Sequence, residues 1–239
     1  QAPILAETGA SLYAPDDSLS VARDDENWPA NYDVSDDQAS QVYRGTSGTR
    51  SYGVQAAERT RGVVLVYDWK FLTAFYFSTC GGHTAPASQL PGAPQIEPFE
   101  SVECDYCRDS KLHKWVKTMP VVEAETALAQ AGYVSGRLAD IKVVSTVEGG
   151  WVDMVEIIST EGSRRISGSV FRRLMGTKEF YSAKFEVRKS GDRFVIQGRG
   201  YGHGVGMCQW GAHGLGRLGR NYAEILNYYY PGAEIVKIY

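Results

Sequence analysis

The chain has 239 residues, of which 28 are acidic and 25 basic, and its formal net charge is -3 at pH 7. This balance supplies no basic field for nucleic acid, so nucleic-acid binding is disfavoured. No apolar run reaches the roughly 18 residues that cross a bilayer, and the first residues lack the regions of a signal peptide. We therefore expect no transmembrane segment in this chain, and either a cytosolic protein or a mature, trimmed product.

The first half of the chain predicts a loop-rich start followed by ordered structure. Residues 13–41 are rich in Asp, Ser and Asn, which favour turns. Ordered structure begins at QVYRG (41–45), and a short helix around Glu58 then precedes two β-rich strands, VVLVY and FLTAFYF. The turn between these strands, at 67–70, predicts a hairpin.

A long irregular excursion follows over 84–120, where Pro86, Pro91, Pro94 and Pro98 block regular structure. Loops of this length in a compact domain are functional or clamped. We therefore predict one domain over 1–239, containing a clamped loop insertion at 80–120 that holds a candidate metal site.

The second half of the chain predicts short helices between hairpins. A helix over 121–132 ends at a glycine, and strands follow around a turn at Gly149 and Gly150. A short helix ends before Gly176, another hairpin turns near Gly191, and a last helix from Asn221 carries a capping-box pattern. The sequence predicts a strand-rich α+β fold with a single globular domain.

The cysteine spacing indicates a metal site. Cys80 and His83 form C-x2-H, and Cys104 and Cys107 form C-x2-C about twenty residues later. Two residues between ligands let both side chains reach one ion from a tight turn. We predict a structural zinc bound by these four residues, because four protein ligands leave no open position for water.

Two alternatives remain open at this site. His113 rivals His83 as the fourth ligand, and in an oxidising compartment Cys80 would instead form a disulfide with one thiol of the C-x2-C pair. Cys208 is interpreted as a small buried apolar residue. In either case the expected role is to clamp the loop.

Six motifs in a fixed order resemble the SpoIID/LytB family, the stage II sporulation protein D and amidase-enhancer group of bacterial cell-wall proteins. The most specific pair is GHGVGMCQWGA (202–212) with ILNYYYPG (225–232). The others are QVYRG (41–45), A-x3-TRGVVL (56–65), FSTCGGHT (77–84) and FRRLMG (171–176).

The resemblance implies a role on peptidoglycan, outside the cell or in its envelope. Sporulation-type members of the family are lytic transglycosylases, in which one glutamate serves as acid and base on glycan strands. In the alignment of motifs this glutamate falls before residue 1, and Glu7 falls where the family has arginine. The alternative is a glycan-binding, amidase-enhancing or structural envelope subunit without catalysis, with a cell-wall amidase as its partner.

The glycine-rich motif suggests a substrate-binding surface. Glycines at alternate positions from 198 to 206 allow close approach to a sugar chain or to neighbouring backbone. Tyr201 and Trp210 offer flat faces for sugar rings, and His203 and Gln209 offer hydrogen bonds. In the alternative interpretation His203 is a structural histidine and Trp210 a core residue. The predicted substrate-binding residues are Tyr43, Ser78, Tyr201, His203, Gln209 and Trp210.

Overall fold

Five α-helices and thirteen β-strands make up residues 51–239, the part of the chain that the computed structural model describes. The helices are α1 (Ser51–Arg59), α2 (Val121–Gln130), α3 (Gly168–Met175), α4 (Gln209–Arg217) and α5 (Tyr222–Tyr229). The strands are β1 (Val63–Tyr67), β2 (Lys70–Phe71), β3 (Tyr76–Phe77), β4 (Gly82–His83), β5 (Glu103–Cys104), β6 (Trp115–Pro120), β7 (Leu138–Val147), β8 (Trp151–Ser159), β9 (Gly162–Ser167), β10 (Phe185–Ser190), β11 (Arg193–Gly198), β12 (Met207–Cys208) and β13 (Glu234–Lys237). The predicted strand-rich α+β class is confirmed.

The described residues fall into two compact units. The smaller unit contains α1, residues 60–64 and the last four residues, Val236–Tyr239. The larger unit, Leu65–Ile235, contains both apolar cores and every predicted site residue that the structure describes. No helix within 51–239 combines the length and the apolar character needed to cross a membrane.

Two antiparallel sheets form the regular part of the larger unit. Strands β7, β8 and β9 pair in chain order, and β11 lies between β10 and β6. The predicted turns at Gly149, Gly150 and Gly191 adopt positive φ, of 73°, 79° and 62°, which glycine reaches without steric cost.

The first apolar core, here called the strand core, is formed by these sheets with α2 and α3. Burial alternates along β11 and along β8 from Val155 onwards, so these stretches turn one face inwards. The strand core includes Leu128, Val152, Val155, Ile157, Phe171, Phe180, Phe194 and Ile196.

The predicted capping box at the start of α5 is confirmed, and α3 also begins at a capped residue. Ser167 accepts the N–H of Val170 at 3.3 Å and so caps α3. Asn221 and Glu224 form a reciprocal capping box at the start of α5, with N···O distances of 2.9 and 3.0 Å. Gly176 ends α3 with φ of 90°.

The first predicted hairpin is correct in its turn and wrong in the length of its second strand. Asp68 and Trp69 both adopt positive φ, at 49° and 62°, between the paired residues Tyr67 and Lys70. The second strand then divides into β2 and β3, because β3 leaves the hairpin and pairs in parallel with β12.

The second apolar core, here called the cysteine core, contains the 80–120 segment and the glycine-rich motif. Its strands β3, β4, β5 and β12 have two residues each, and single bridges join Thr79 to Tyr201 and Ala85 to Val205. Short 3-10 helices at Ala87–Gln89, Glu97–Phe99 and Asp105–Cys107 give the excursion more regularity than its prolines predict. The cysteine core includes all four cysteines, Phe77, Phe99, Trp151, Val205, Leu215, Tyr229 and Tyr230.

Candidate functional site

The glycine-rich motif lies close against neighbouring protein segments. At Gly204, where φ is 93°, an added Cβ would lie 2.5 Å from the Trp151 ring and 2.7 Å from Ala85. At Gly202 an added Cβ would lie 2.7 Å from Phe77, and at Gly206 it would overlap the carbonyl oxygen of Phe75. The glycines here therefore serve close packing inside the protein, the second of the two uses that the sequence suggests.

The motif flanks the segment 76–79 on both sides. The backbones of Thr79 and Tyr201 exchange two hydrogen bonds, of 3.0 and 2.7 Å. On the other side β12 pairs with β3, and the N–H of Trp210 donates to the carbonyl of Ser78 at 3.0 Å. Three chain segments thus form one small surface.

The outward side chains of this surface are aromatic and polar. Because successive residues of a strand point to opposite faces, Phe77 and Thr79 are buried while Tyr76 and Ser78 face outwards. Tyr76, Tyr201 and Trp210 are each more than a third exposed. We call this set the aromatic surface; it consists of Tyr76, Ser78, Tyr201, Gln209 and Trp210.

The structure brings most of the predicted substrate-binding residues to the aromatic surface. The exposure of Trp210, 38%, differs from the core position considered in the alternative interpretation. Tyr76 is an addition that the sequence analysis missed, although its strand alternation with Ser78 was a usable signal. Tyr43 lies outside the described residues. Binding of substrate by these side chains stays a prediction.

His203 lies next to the aromatic surface, but both of its ring nitrogens contact backbone. The N–H of Val205 donates to Nδ1 at 3.2 Å, so Nε2 carries the proton and donates to the Tyr76 carbonyl at 3.0 Å. Burial, together with the positive charge of Arg172, lowers the pKa of His203 to about 4, although the hydrogen bond to the Tyr76 carbonyl acts in the opposite direction. A neutral imidazole in these contacts stabilises the turn, which is the structural role considered in the sequence analysis.

A cluster of four sulfur atoms lies behind this surface. Cys80, Cys104, Cys107 and Cys208 are fully buried, and their Sγ atoms all lie within 4.8 Å of one another. All four are free thiols in the structure, and the Sγ atoms of Cys80 and Cys107 are 3.4 Å apart. Four buried cysteines at this spacing could hold a metal ion.

Polar hydrogens point at the sulfur cluster. The N–H groups of Cys80 and Gly211 each lie 3.3 Å from Cys208 Sγ, and the Tyr229 hydroxyl lies 3.0 Å from Cys104 Sγ. The contact with Cys104 lowers the pKa of Cys107, and hydrogen bonds with Cys104 and Cys107 raise the pKa of Cys80. The four thiols therefore interact strongly with one another, and each affects the pKa of its neighbours.

The two predicted histidine ligands lie outside the four-sulfur group. His83 Nδ1 is 2.7 Å from the Ser101 hydroxyl, and Gly149 packs against its ring. His113 Nδ1 is 3.4 Å from Cys107 Sγ and contacts the cluster from outside. The fourth member of the sulfur cluster is Cys208, because the pairing of β12 with β3 brings its Sγ within 3.3 Å of the backbone nitrogen of Cys80.

Positive charge lies around the cluster. Lys184 is buried, and its Nζ donates to the Gly81 carbonyl at 3.3 Å and lies 5.8 Å from the centre of the Trp151 ring. Burial lowers the pKa of Lys184, whereas Cys80 raises it. A neighbouring pocket of about 550 Å³ is lined by Gly82, Asp105, Arg108, Ser110, Lys111, His113, Lys114 and Arg199.

Comparison with family models gives one match. Residues 99–206 match a model described as a domain of unknown function, DUF8618. This match covers part of the excursion, the strand core and most of the glycine-rich motif.

Curated relatives match over most of this chain. An uncharacterized protein of Brachyspira hyodysenteriae is 30% identical over 86% of this chain and 54% of its own length. Stage II sporulation protein D of Bacillus subtilis is 29% identical over 84% of this chain and 59% of its own length. The amidase enhancer of Bacillus subtilis is 27% identical over 84% of this chain and 35% of its own length. The chain thus spans between about a third and three fifths of these relatives.

Proposed function

Since the chain belongs to the SpoIID/LytB family, as its motifs predict and its relatives confirm, we propose that it binds peptidoglycan glycan strands through the aromatic surface. The names of the relatives, sporulation protein and amidase enhancer, indicate a cell-wall-related role. We also propose that the protein works outside the cell or in its envelope, where such strands lie.

The observation that carries this proposal is the exposure of three aromatic rings around polar side chains. Large aromatic side chains are costly to leave in water, and flat rings suit the apolar faces of sugars. Tyr201 and Trp210 lie on opposite sides of Ser78, and Gln209 adds an amide with both donors and an acceptor. This combination supports binding of a sugar chain along the surface.

For the reaction, we propose lytic transglycosylase-like cleavage by a glutamate whose expected place is before residue 1. The acid would protonate the glycosidic oxygen, and the C1–O bond would break. The resulting carboxylate would then take the proton of the same sugar's C6 hydroxyl, whose oxygen closes on C1 to give a 1,6-anhydro end. No water is consumed, and the aromatic surface would position the strand for the acid.

Binding is tested with Trp210→Ala in a co-sedimentation assay with peptide-stripped glycan strands. We expect at least a tenfold loss of affinity, since stacking on an aromatic ring is lost. Trp69→Ala is the matched control, because Trp69 is 82% exposed at a hairpin turn and not part of the aromatic surface. Equal affinities of both variants and the wild type would overturn the assignment of this surface.

Cleavage is tested with the full natural protein on the same strands, with products identified by mass spectrometry. Anhydro-ended fragments that disappear on replacing the aligned glutamate by glutamine would support the transglycosylase. Bound but intact strands would leave the binding role and reject the reaction.

A second candidate function is enhancement of a cell-wall amidase, and the observation that favours it is the name of the Bacillus subtilis relative. In this case the protein would present the glycan or the enzyme without cleaving it. Adding the protein to an amidase digest of peptidoglycan should then raise the rate, and Trp210→Ala should remove the effect.

The structural zinc predicted from sequence has a supporting role in this proposal. Cys208 of the sulfur cluster lies two residues before Trp210, so an ion bound to the cluster would hold the aromatic surface in place. The ion would take no part in the chemistry, because four protein ligands leave no position for water or substrate.

A further inference from the structure

We propose that Cys80, Cys104, Cys107 and Cys208 together bind one structural metal ion, with zinc as the expected ion and Cys208 as the fourth ligand. This assigns a ligand set that differs from the C-x2-H and C-x2-C set predicted from spacing. The inference is independent of the proposed glycan binding, because it depends only on the cysteine core.

The spacing of the sulfur atoms suits a tetrahedral centre. With zinc–sulfur bonds of about 2.3 Å, the sulfur atoms of a tetrahedral site lie about 3.8 Å apart. In the structure all four Sγ atoms lie within 4.8 Å of one another, and that of Cys80 is 3.4 Å from that of Cys107. Tetrahedral sets of four thiolates are typical of zinc, with iron as the main competitor.

The four sulfur atoms come from distant parts of the chain, so their convergence is not a result of local sequence. Cys80 and Cys208 are 128 residues apart, yet the N–H of Cys80 contacts Cys208 Sγ at 3.3 Å. The start of α4 can approach Cys104 and Tyr229 closely because residue 211 is a glycine. An added Cβ there would lie 2.6 Å from Cys104 Sγ and would overlap the Tyr229 hydroxyl. At Gly81, where φ is 65°, an added Cβ would lie 2.6 Å from the Cβ of Arg199.

The surroundings of the cluster stabilise thiolates. A zinc ion with four thiolates carries roughly two negative charges, and such charge needs donors and cations when it is buried. Two backbone N–H groups and the Tyr229 hydroxyl supply donors at 3.0–3.3 Å. Lys184, which is buried beside Gly81, supplies a cation, and Arg199 and Lys111 line the neighbouring pocket.

The position of Cys208 gives the metal a specific task. Cys208 ends β12 and caps α4, with its sulfur accepting the N–H of Gly211. A metal bound there would tie the start of α4 to the 80–107 segment. Gln209 and Trp210 are the first two residues of α4, so their orientation would depend on the bound ion.

The first test is X-ray absorption spectroscopy at the zinc edge of the purified protein, together with elemental analysis. We expect one zinc per chain with four sulfur neighbours at about 2.3 Å. Three or fewer sulfur neighbours with a nitrogen would return the fourth position to His83 or His113 and would overturn the proposal. A protein without metal, whose cysteines are found paired after denaturation, would also overturn it.

The second test compares Cys208→Ser with His83→Asn. Serine keeps an oxygen that can cap α4, so the change removes the sulfur ligand while retaining the cap. We expect Cys208→Ser to weaken zinc binding more than about 100-fold. Replacing a residue that only supports a ligand typically weakens metal binding by about 10- to 100-fold, so a larger loss indicates a lost ligand. His83→Asn should retain one zinc per chain. Full zinc in Cys208→Ser, or loss of zinc in His83→Asn alone, would refute the ligand set.

If Cys208→Ser does not fold, the X-ray absorption spectrum of the wild type still decides the number of sulfur ligands. Chelation of the wild type gives a further readout, since all four thiols should become reactive only as the metal leaves. Thiols that react fully before chelation would count against a bound metal.

Discussion

In the strand core, the ten residues of β7 and the nine of β8 pair along most of their length, whereas in the cysteine core β3, β4, β5 and β12 have two residues each. The strand core is filled by aliphatic side chains and phenylalanine rings. In the cysteine core, glycines at close approaches and four converging sulfur atoms replace long ladders of backbone hydrogen bonds. All five residues of the aromatic surface lie on the short segments that form the cysteine core.

The two cores differ in strand length, and this difference shows how the candidate site is supported. Long paired strands stabilise themselves through many small contacts, and no single residue is indispensable to their geometry. Short segments need specific contacts between distant residues, such as the hydrogen bond of His203 Nε2 with the Tyr76 carbonyl or the approach of Gly211 to Cys104. Single substitutions in the cysteine core should therefore have position-specific effects.

The largest expected effect lies in the strand core, at Phe171. Its ring is fully buried, with centroids 5.3 Å from Phe180 and 5.6 Å from Phe185. Phe171→Ala should lower the free energy of unfolding by about 3–5 kcal/mol, measured by urea denaturation. Zinc content at low temperature should be unchanged, because the four cysteines belong to the other core. A parallel loss of zinc would show that the two cores do not respond independently.

The next effect is a pH dependence in the cysteine core. The pKa of His203 is near 6.5 in an unfolded chain and about 4 in the fold, so the unfolded chain binds more protons between these values. Its stabilising contribution is complete above pH 6.5 and is lost as the pH falls towards 4, by up to about 3 kcal/mol.

This pH dependence is measured as the unfolding free energy at pH 7 minus that at pH 5, in wild type and in His203→Gln. The difference should shrink in His203→Gln and persist in His213→Gln, which changes an exposed histidine of α4. An unchanged difference in His203→Gln would show that other groups cause the pH dependence.

Two glycines of α4, Gly211 and Gly216, differ in how closely other residues pack against them. In α4, an added Cβ at Gly211 would overlap Tyr229 and Cys104, whereas at Gly216 it would meet nothing within 4 Å. Gly211→Ala should cost about 1–3 kcal/mol in unfolding free energy. Gly216→Ala should be stabilising by up to about 1 kcal/mol, because alanine favours helix. Thermal unfolding of both variants, at equal zinc content, checks the sign of each change.

The smallest expected effect concerns the capping box of α5. Asn221→Ala removes the oxygen that accepts the N–H of Glu224 and should cost about 1 kcal/mol. Asn221→Ser, which can still accept this hydrogen bond, serves as its control. A loss of several kcal/mol would mean that the cap also supports the cysteine core.

Sequence reasoning succeeded where the signal was local. The end of α3 at Gly176, the capping box of α5 and the turn at Asp68 depend on residues within four positions of one another, and all three are present in the structure. Helix α4 was not predicted from sequence, since glycines at 211, 214 and 216 lower its helix propensity. In the structure this cost is offset, because Gly211 and Gly214 let the helix lie against the segment around Cys104 and Tyr106.

The fold class, the family and three of the four clustered cysteines could be predicted from the sequence, because motifs and the C-x2-C spacing are properties of short segments. Only the tertiary structure placed Cys208 beside Cys80 and Tyr76 beside Met207, through the parallel pairing of β12 with β3. It likewise brought Nε2 of His203 to the carbonyl of Tyr76. Such contacts join residues more than a hundred positions apart, and no local pattern of side chains specifies which distant partners meet.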